Sequence, residues 1–197
     1  MNMDQYLSSS KYIDFEHPEI LGLAKKLKSQ SICELELVKL CFEFVRDQIK
    51  HSWDYQLDTI TCKASDALVH KTGFCFAKSH LLAALLRANN IPTGLCYQRL
   101  SVSGEGGPYC LHGLNAVYLN EYGWYRLDSR GNNREVNADF CPPEEKLAFP
   151  VLDQCEYDFP EIWPEPLPIV VSALESYNSI SDYYDNLPDI ECIPKNM

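Results

Sequence analysis

Cys75 is the residue whose type and setting most favour covalent chemistry. It follows a Gly-containing turn at Thr72-Gly73, and the apolar run Leu81–Leu86 behind it has the spacing of a buried helix face. The predicted helix ends near Asn89-Asn90, because Pro92 cannot continue it. We therefore expect the sulfur at a helix N-terminus, where free backbone N–H groups and the helix dipole favour a thiolate. The thiolate is the nucleophilic form of cysteine, so the setting favours nucleophilic catalysis.

A catalytic thiolate needs a base within hydrogen-bond reach and a third group that orients the base. His112 and Asp128 are the strongest candidates for these two roles. Without them, Cys75 would be interpreted as an inert buried cysteine, which is the commoner case. Asp128 also has a structural interpretation, because an Asp followed shortly by Gly131 is a common turn signal.

The hairpin register decides whether His112 and Asp128 can meet. If Leu119 pairs with Gly123 across a three-residue connection, Asp128 falls opposite Leu114, on the same face as His112. The Cβ atoms at such a diagonal are about 7–8 Å apart, which His and Asp side chains can bridge. A four-residue connection would place the two side chains on opposite faces of the sheet.

The loop that contains His51, Ser52 and Trp53 could also reach Cys75, and His51 stays open as an alternative base. An oxyanion would be held by the backbone N–H of Cys75 and one side-chain donor. We consider His51, Ser52 and Trp53 as candidates for that donor, with Phe74 as a further substrate-binding candidate. A substrate groove is expected between the loop 51–55 and the Gly-rich loop 104–108.

The elements that must position these residues run from helices to strands. This order predicts an α+β fold in which the helix that bears the nucleophile packs on one face of an antiparallel sheet. Ser31 and Glu34 fit a capping box at the start of the second helix. The predicted helices span about 17–28, 32–49, 64–69, 75–88 and 170–187, and the predicted strands span about 93–102, 112–119, 124–128 and 147–152. The tail after residue 188 is expected to be loose.

The composition limits the possible partners. The chain has 197 residues, enough for one domain with a real core, and we expect a single domain over 1–197. A formal net charge of −11 argues against binding to nucleic acid and to anionic membrane surfaces. The first fifteen residues carry charges and no apolar core, so no signal peptide is expected. The sequence contains no run of eighteen apolar residues, so no membrane span is predicted.

The cysteines indicate reduced thiols. There are nine of them, an odd and scattered set that is typical of a cytoplasmic protein. Cys62, His70, Cys75 and His80 match no structural zinc spacing, so no metal is expected. No nucleotide or flavin motif is present, so no cofactor is expected either. The expected partner is a peptide or protein substrate, or a small amide or amine; the sequence gives no oligomeric state.

Three ordered motifs resemble the core of transglutaminase-like proteins. They lie within about Ala64 to Asn132 and comprise Gly73-Phe74-Cys75 with the helix end and following turn at Leu85–Thr93, the strand His112–Leu119, and Gly123-Trp124-Tyr125-Arg126-Leu127-Asp128. The resemblance implies a papain-like α+β core and a Cys75–His112–Asp128 triad. One position departs from the pattern: Leu114 stands where family members often carry an aromatic residue.

The resemblance implies a cysteine enzyme that acts on an amide or ester carbonyl by hydrolysis or acyl transfer. Relatives include cross-linking enzymes, proteases, glycan-removing amidases and catalytically silent domains, so a domain that only binds peptides or a partner protein is an alternative. Gly73-Phe74-Cys75-Phe76 is also similar to arylamine N-acetyltransferases, which would imply acetyl transfer from coenzyme A. Those proteins are longer, and the segment from Arg87 to Pro92 fits them less well.

Overall fold

The structure is a computed structural model that describes residues 3–104 and 106–191. The α-helices are α1 (Pro18–Gln30), α2 (Glu34–Gln48), α3 (Ala64–His70), α4 (Cys75–Arg87), α5 (Pro168–Ser176) and α6 (Ile180–Tyr184). The strands are β1 (Lys50–His51), β2 (Thr72–Gly73), β3 (Thr93–Ser101), β4 (Tyr109–Leu119), β5 (Gly123–Leu127), β6 (Asp139–Cys141), β7 (Glu144–Lys146) and β8 (Tyr157–Asp158). This mixture of helices and antiparallel strands confirms the predicted α+β class. Within the described residues, no helix has the length and apolar character of a membrane span.

The main sheet is antiparallel, with the strand order β5-β4-β3-β8. Strand β4 is internal, because it pairs with β3 along one edge and with β5 along part of the other. Leu119 pairs with Gly123 in the β4–β5 hairpin, which confirms the three-residue connection. Gly123 has φ +75, a conformation that favours glycine because a Cβ is strained there. The last pair is Asn115 with Leu127, so Asp128 follows directly on the predicted side.

Helix α4 is the centre of the core. Every residue from Cys75 to Arg87 is buried, and the helix packs against the sheet at β4 and β3. Each of its fully buried leucines contributes about 1.5–3 kcal/mol through the apolar area removed from water. At Gly113 a Cβ would lie 2.5 Å from Phe76 Cδ1, so only glycine allows this close approach of strand to helix. The approach brings β4 to the N-terminal end of α4.

A short parallel pair, β1 with β2, lies at the same end of α4. Lys50 pairs with Thr72, and His51 pairs with Gly73. The backbone N–H of Ser52 donates to the Gly73 carbonyl at 3.2 Å and extends the pairing by one residue. This pairing holds the loop that follows α2 against Gly73, which precedes Cys75 by two residues in the sequence.

The start of α2 differs from the prediction. The helix begins at Glu34 with Cys33 as its N-cap residue, and no side chain caps it. The Ser31 hydroxyl donates instead to the Lys28 carbonyl at 2.9 Å, at the end of α1. The predicted capping box is therefore wrong, because Ser31 closes the first helix rather than opening the second.

The C-terminal third also differs from the prediction. No strand forms over 147–152 in the described chain, and the single helix expected over 170–187 is divided into α5 and α6. Ser179 interrupts it, since its hydroxyl accepts from the Asp182 N–H at 3.1 Å as an N-cap. Asp58 accepts from the Ile180 N–H at 2.8 Å and ties α6 to the loop between β1 and α3.

The segment that follows α6 is bound rather than loose. The Pro188 carbonyl accepts from the Leu111 N–H at 2.7 Å, and Arg99 forms a two-pronged ion pair with Asp189 at 2.8 and 2.7 Å. The expectation of a loose tail is therefore wrong for residues 188–190, and residues 192–197 lie outside the described range.

Candidate active site

Cys75 is the first residue of α4, as the sequence predicts. Its Sγ accepts from the backbone N–H of Gly113 on β4 at 3.4 Å. The first-turn N–H groups of a helix have no partner within the helix, so they attract negative charge. Cys75 is buried, with 8% of the residue exposed, and it lines a cleft.

The Cys75 thiol is more acidic than an ordinary thiol. Burial raises its pKa, but the charge and hydrogen bond of His112, followed by those of His51, outweigh burial and lower the pKa to about 6. Burial raises the pKa to about 12 in four other cysteines, Cys41, Cys62, Cys96 and Cys110. Cys75 therefore differs from them in carrying a negative charge at neutral pH.

His112 and Asp128 meet, as the hairpin register predicts. The His112 Nε2 lies 2.7 Å from the Asp128 Oδ2, and both side chains are buried. The Asp128 Oδ1 also accepts from the backbone N–H of Arg130 at 3.0 Å, and its Oδ2 accepts from that of Ala148 at 3.2 Å. Both roles considered for Asp128, orienting the histidine and fixing the turn, are thus present in its geometry.

The charges at this pair stabilise each other. Burial lowers the pKa of His112, but the carboxylate of Asp128 and then the thiolate of Cys75 raise it. Burial raises the pKa of Asp128, yet the His112 charge and the hydrogen bonds to the carboxylate hold that pKa below its usual range. Because Nε2 is engaged by Asp128, Nδ1 is the ring nitrogen left for Cys75. The Phe149 ring meets the imidazole edge-on at 5.1 Å.

His51 is a second histidine beside the thiol. The pairing of β1 with β2 brings it next to Cys75, and its ring meets the Phe74 ring at 5.5 Å. Its Nδ1 lies 3.4 Å from the Asp54 Oδ1, an ion-pair distance without hydrogen-bond alignment. Cys75 therefore lies between two histidines, each with a carboxylate behind it.

The other predicted binding residues occupy different places. The Ser52 hydroxyl is fully buried and shares a hydrogen bond with the Thr72 hydroxyl at 3.0 Å, which turns it away from the cleft. The Trp53 indole lines the cleft and stacks on Tyr184 at 3.5 Å. The Phe74 ring also lines the cleft and packs against Tyr183 at 4.3 Å. Of the three candidate oxyanion donors, His51 is the one whose hydrogen bond and charge lower the pKa of the Cys75 thiol.

The cleft at Cys75 has a volume of about 380 Å³, which suits an amino-acid side chain or a small ligand. Both loops of the predicted groove line it, the first through His51 and Trp53 and the second through Gly104. Tyr183 of helix α6 also lines the cleft, and no sequence signal indicated this position.

A protein-family model of the transglutaminase-like superfamily matches residues 22–129 of the chain. This range is more than half of the chain, and it contains the helix with Cys75 and the hairpin with His112 and Asp128.

The chain belongs to the transglutaminase-like superfamily.

Two solved structures resemble this transglutaminase-like chain. A candidate cysteine protease from Cytophaga hutchinsonii has a TM-score of 0.53 at 19% identity, over 66% of this chain and 42% of that one. The periplasmic domain of TgpA from Pseudomonas aeruginosa has a TM-score of 0.48 at 19% identity, over 64% of this chain and 48% of that one. At 19% identity, the similarity to the Cytophaga hutchinsonii structure concerns the fold alone. The chain spans less than half the length of either structure. No curated protein sequence matches the chain.

Sequence reasoning missed several residues around this transglutaminase-like site. Arg130 forms an ion pair with Asp54, although 76 positions separate the two in the sequence. Lys78, one turn after Cys75, is fully buried and donates to the carbonyls of Arg46 and Ile49. Burial lowers the pKa of Lys78 to about 7. A lysine on the apolar run of α4 is the one local signal that could have indicated this contact.

Proposed function

We propose that this chain is a transglutaminase-like cysteine enzyme that attacks an amide or ester carbonyl and forms a thioester at Cys75. The observation that carries the proposal is a buried thiol at a helix N-terminus, acidified by a histidine whose far nitrogen is 2.7 Å from a buried carboxylate. Nucleophile, base and orienting group are the parts that covalent acyl transfer requires.

In the proposed reaction, the Cys75 thiolate attacks the carbonyl carbon and a C–S bond forms while the carbonyl electron pair moves to oxygen. Protonated His112 then gives its proton to the leaving nitrogen or oxygen, and the C–N or C–O bond breaks to leave a thioester. Neutral His112 next takes a proton from water or an amine, which attacks the thioester and releases the thiolate. Asp128 holds the imidazole in orientation through both steps.

The oxyanion of each tetrahedral intermediate would be held by the backbone N–H of Cys75 and by the His51 ring. The support for His51 is its position beside the thiol, because a group that stabilises a thiolate is also placed to stabilise a negative oxygen on the attacked carbon. Trp53 and Phe74, which both line the cleft, would shape the substrate site.

The proposed substrate is a peptide, a protein or a small amide, and the acyl acceptor is water or an amine. A cleft with aromatic walls beside an acyl-accepting thiol suits a side-chain or main-chain amide. We also propose a cytoplasmic location, which the odd number and scattered spacing of the nine cysteines support.

The test is to trap the thioester. On mixing with p-nitrophenyl acetate, the wild type is expected to release one equivalent of nitrophenol in a burst and to gain one acetyl group on Cys75 by peptide mapping. The Cys75→Ser variant should show no burst, because a serine hydroxyl is not ionised near neutral pH. Cys62→Ser is the matched control and should keep the burst. Acetylation of other residues, or of none, would reject the proposal. An added primary amine then shows whether transfer competes with hydrolysis.

A further inference from the structure

The Asp54 carboxylate lies beside the His51 ring, as the Asp128 carboxylate lies beside the His112 ring. The His51 Nδ1 is buried, lies 3.4 Å from the Asp54 Oδ1, and has no aligned hydrogen-bond partner in the described part of the chain. The side chain of Asp54 is 20% exposed. The carboxylate is therefore placed to attract a proton on the Nδ1 side of the ring.

Arg130 connects the two histidine–carboxylate pairs. Its guanidinium grips both oxygens of Asp54, with an N–O distance of 2.7 Å to Oδ1. Its backbone N–H donates to the Asp128 Oδ1 at 3.0 Å. Asn133 adds a donor to the Asp54 Oδ2 at 3.3 Å. One residue thus fixes the carboxylates of both pairs, and Cys75 lies between the two imidazoles.

The charges favour an ionised Asp54. Burial raises its pKa, but the hydrogen bonds and charges of His51 and Arg130 hold it well below its usual range. A carboxylate at Nδ1 stabilises a ring that carries protons on both nitrogens. Such a ring leaves an Nε2–H for the Cys75 side, where the hydrogen bond and charge of His51 already act on the thiol.

We propose that Asp54 is a positioning residue that acts through His51: its carboxylate faces Nδ1 and orients the imidazole so that Nε2–H donates to the substrate oxygen when the Cys75 thioester forms. This inference rests on the proposed function, because it needs a carbonyl attacked by Cys75. The Asp54–His51 pair thus stabilises the oxyanion, whereas the Asp128–His112 pair transfers the proton. Arg130 holds Asp54 in place.

The test is a double-mutant cycle on acylation by p-nitrophenyl acetate at one pH near neutrality. Each acylation rate is divided by the rate of Cys75 alkylation by iodoacetamide at the same pH, so that differences in the thiolate fraction cancel. Asp54→Asn is expected to slow acylation about tenfold to a hundredfold, somewhat less than the loss of an oxyanion donor. In a His51→Gln background, where an uncharged amide supplies the N–H, Asp54→Asn should change acylation by less than about twofold. Alkylation of Cys75 by iodoacetamide forms no oxyanion and reports the thiolate fraction alone, so the loss expected for Asp54→Asn must appear in the ratio of the two rates.

Asp47→Asn is the matched control, because Asp47 also pairs with an arginine, Arg46, and does not line the cleft. It should leave both rates unchanged. An equal loss from Asp54→Asn in both backgrounds, or no loss in the wild-type background, would overturn the inference and leave Asp54 as a structural partner of Arg130. A wild type that forms no thioester at Cys75 would overturn the proposed function itself, which is a separate result.

Discussion

The Asp128→Asn variant is expected to form the Cys75 thioester about three to four orders of magnitude more slowly than wild type. An asparagine amide cannot accept a hydrogen bond on the side where it presents its NH₂ group, so it favours the wrong imidazole tautomer for a base at Cys75. The stopped-flow rate of p-nitrophenyl acetate acylation measures the effect. Asp128 also accepts from two backbone N–H groups, so a loss of about 1–3 kcal/mol in unfolding free energy is expected as well.

The two effects of Asp128→Asn separate by comparison with Asp14→Asn. Asp14 accepts from the backbone N–H of Ser65 at 3.0 Å and lines no part of the cleft, so its variant should lose stability alone. If Asp128→Asn lowered the melting temperature but acylated at the wild-type rate, the orienting role would be rejected. Cys75 and His112 would then act as a dyad.

The His112→Gln variant is expected to slow acylation still more, by about four to six orders of magnitude, the range seen when a base is removed from a triad. Glutamine neither accepts the proton nor carries the charge that, more than any other group, offsets the burial of the thiol. The pKa of Cys75 should therefore rise, and alkylation by iodoacetamide at pH 7 should fall together with acylation.

His80→Gln is the matched control for His112→Gln. His80 is also buried on α4, but its Nδ1 bonds to the Cys62 carbonyl at 2.7 Å and the ring does not line the cleft. Its variant should lose stability and keep both rates within about threefold. Equal rate losses in the two histidine variants would show that general unfolding, and not the loss of a base, slows acylation.

The parts of the site that local sequence signals specify were predictable. Gly73 and the apolar run behind Cys75 indicate a helix that starts at the sulfur, and α4 begins there. Gly123 sets a hairpin whose register follows from the connection length, and Leu119 pairs with Gly123. Because side chains alternate along a strand, that single pairing determines that His112 and Asp128 share a face.

The parts that depend on long-range contacts were not predictable. His51 reaches Cys75 through two residue pairs of β1 with β2, which is too short a strand to leave a pattern. The Asp54–Arg130 ion pair joins two loops that are 76 positions apart, and no local sequence pattern indicates that they meet. The capping box failed because Ser31 had an alternative acceptor in α1, and the last helix divided because Ser179 caps its second half. Each of these outcomes depends on a competing partner, and sequence spacing alone does not rank such partners.

The most direct test of the account is the pH dependence of Cys75 alkylation by iodoacetamide, followed by peptide mapping. A thiol with a lowered pKa keeps its charge through neutral pH and loses it as pH falls through that value. The rate at Cys75 should therefore be half-maximal near pH 6, while Cys41, Cys62, Cys96 and Cys110, with pKa values raised to about 12, react slowly at pH 7. A half-maximal rate at Cys75 near pH 9.0, the ordinary thiol value, or faster labelling of these other cysteines, would contradict the claim that Cys75 is an activated nucleophile.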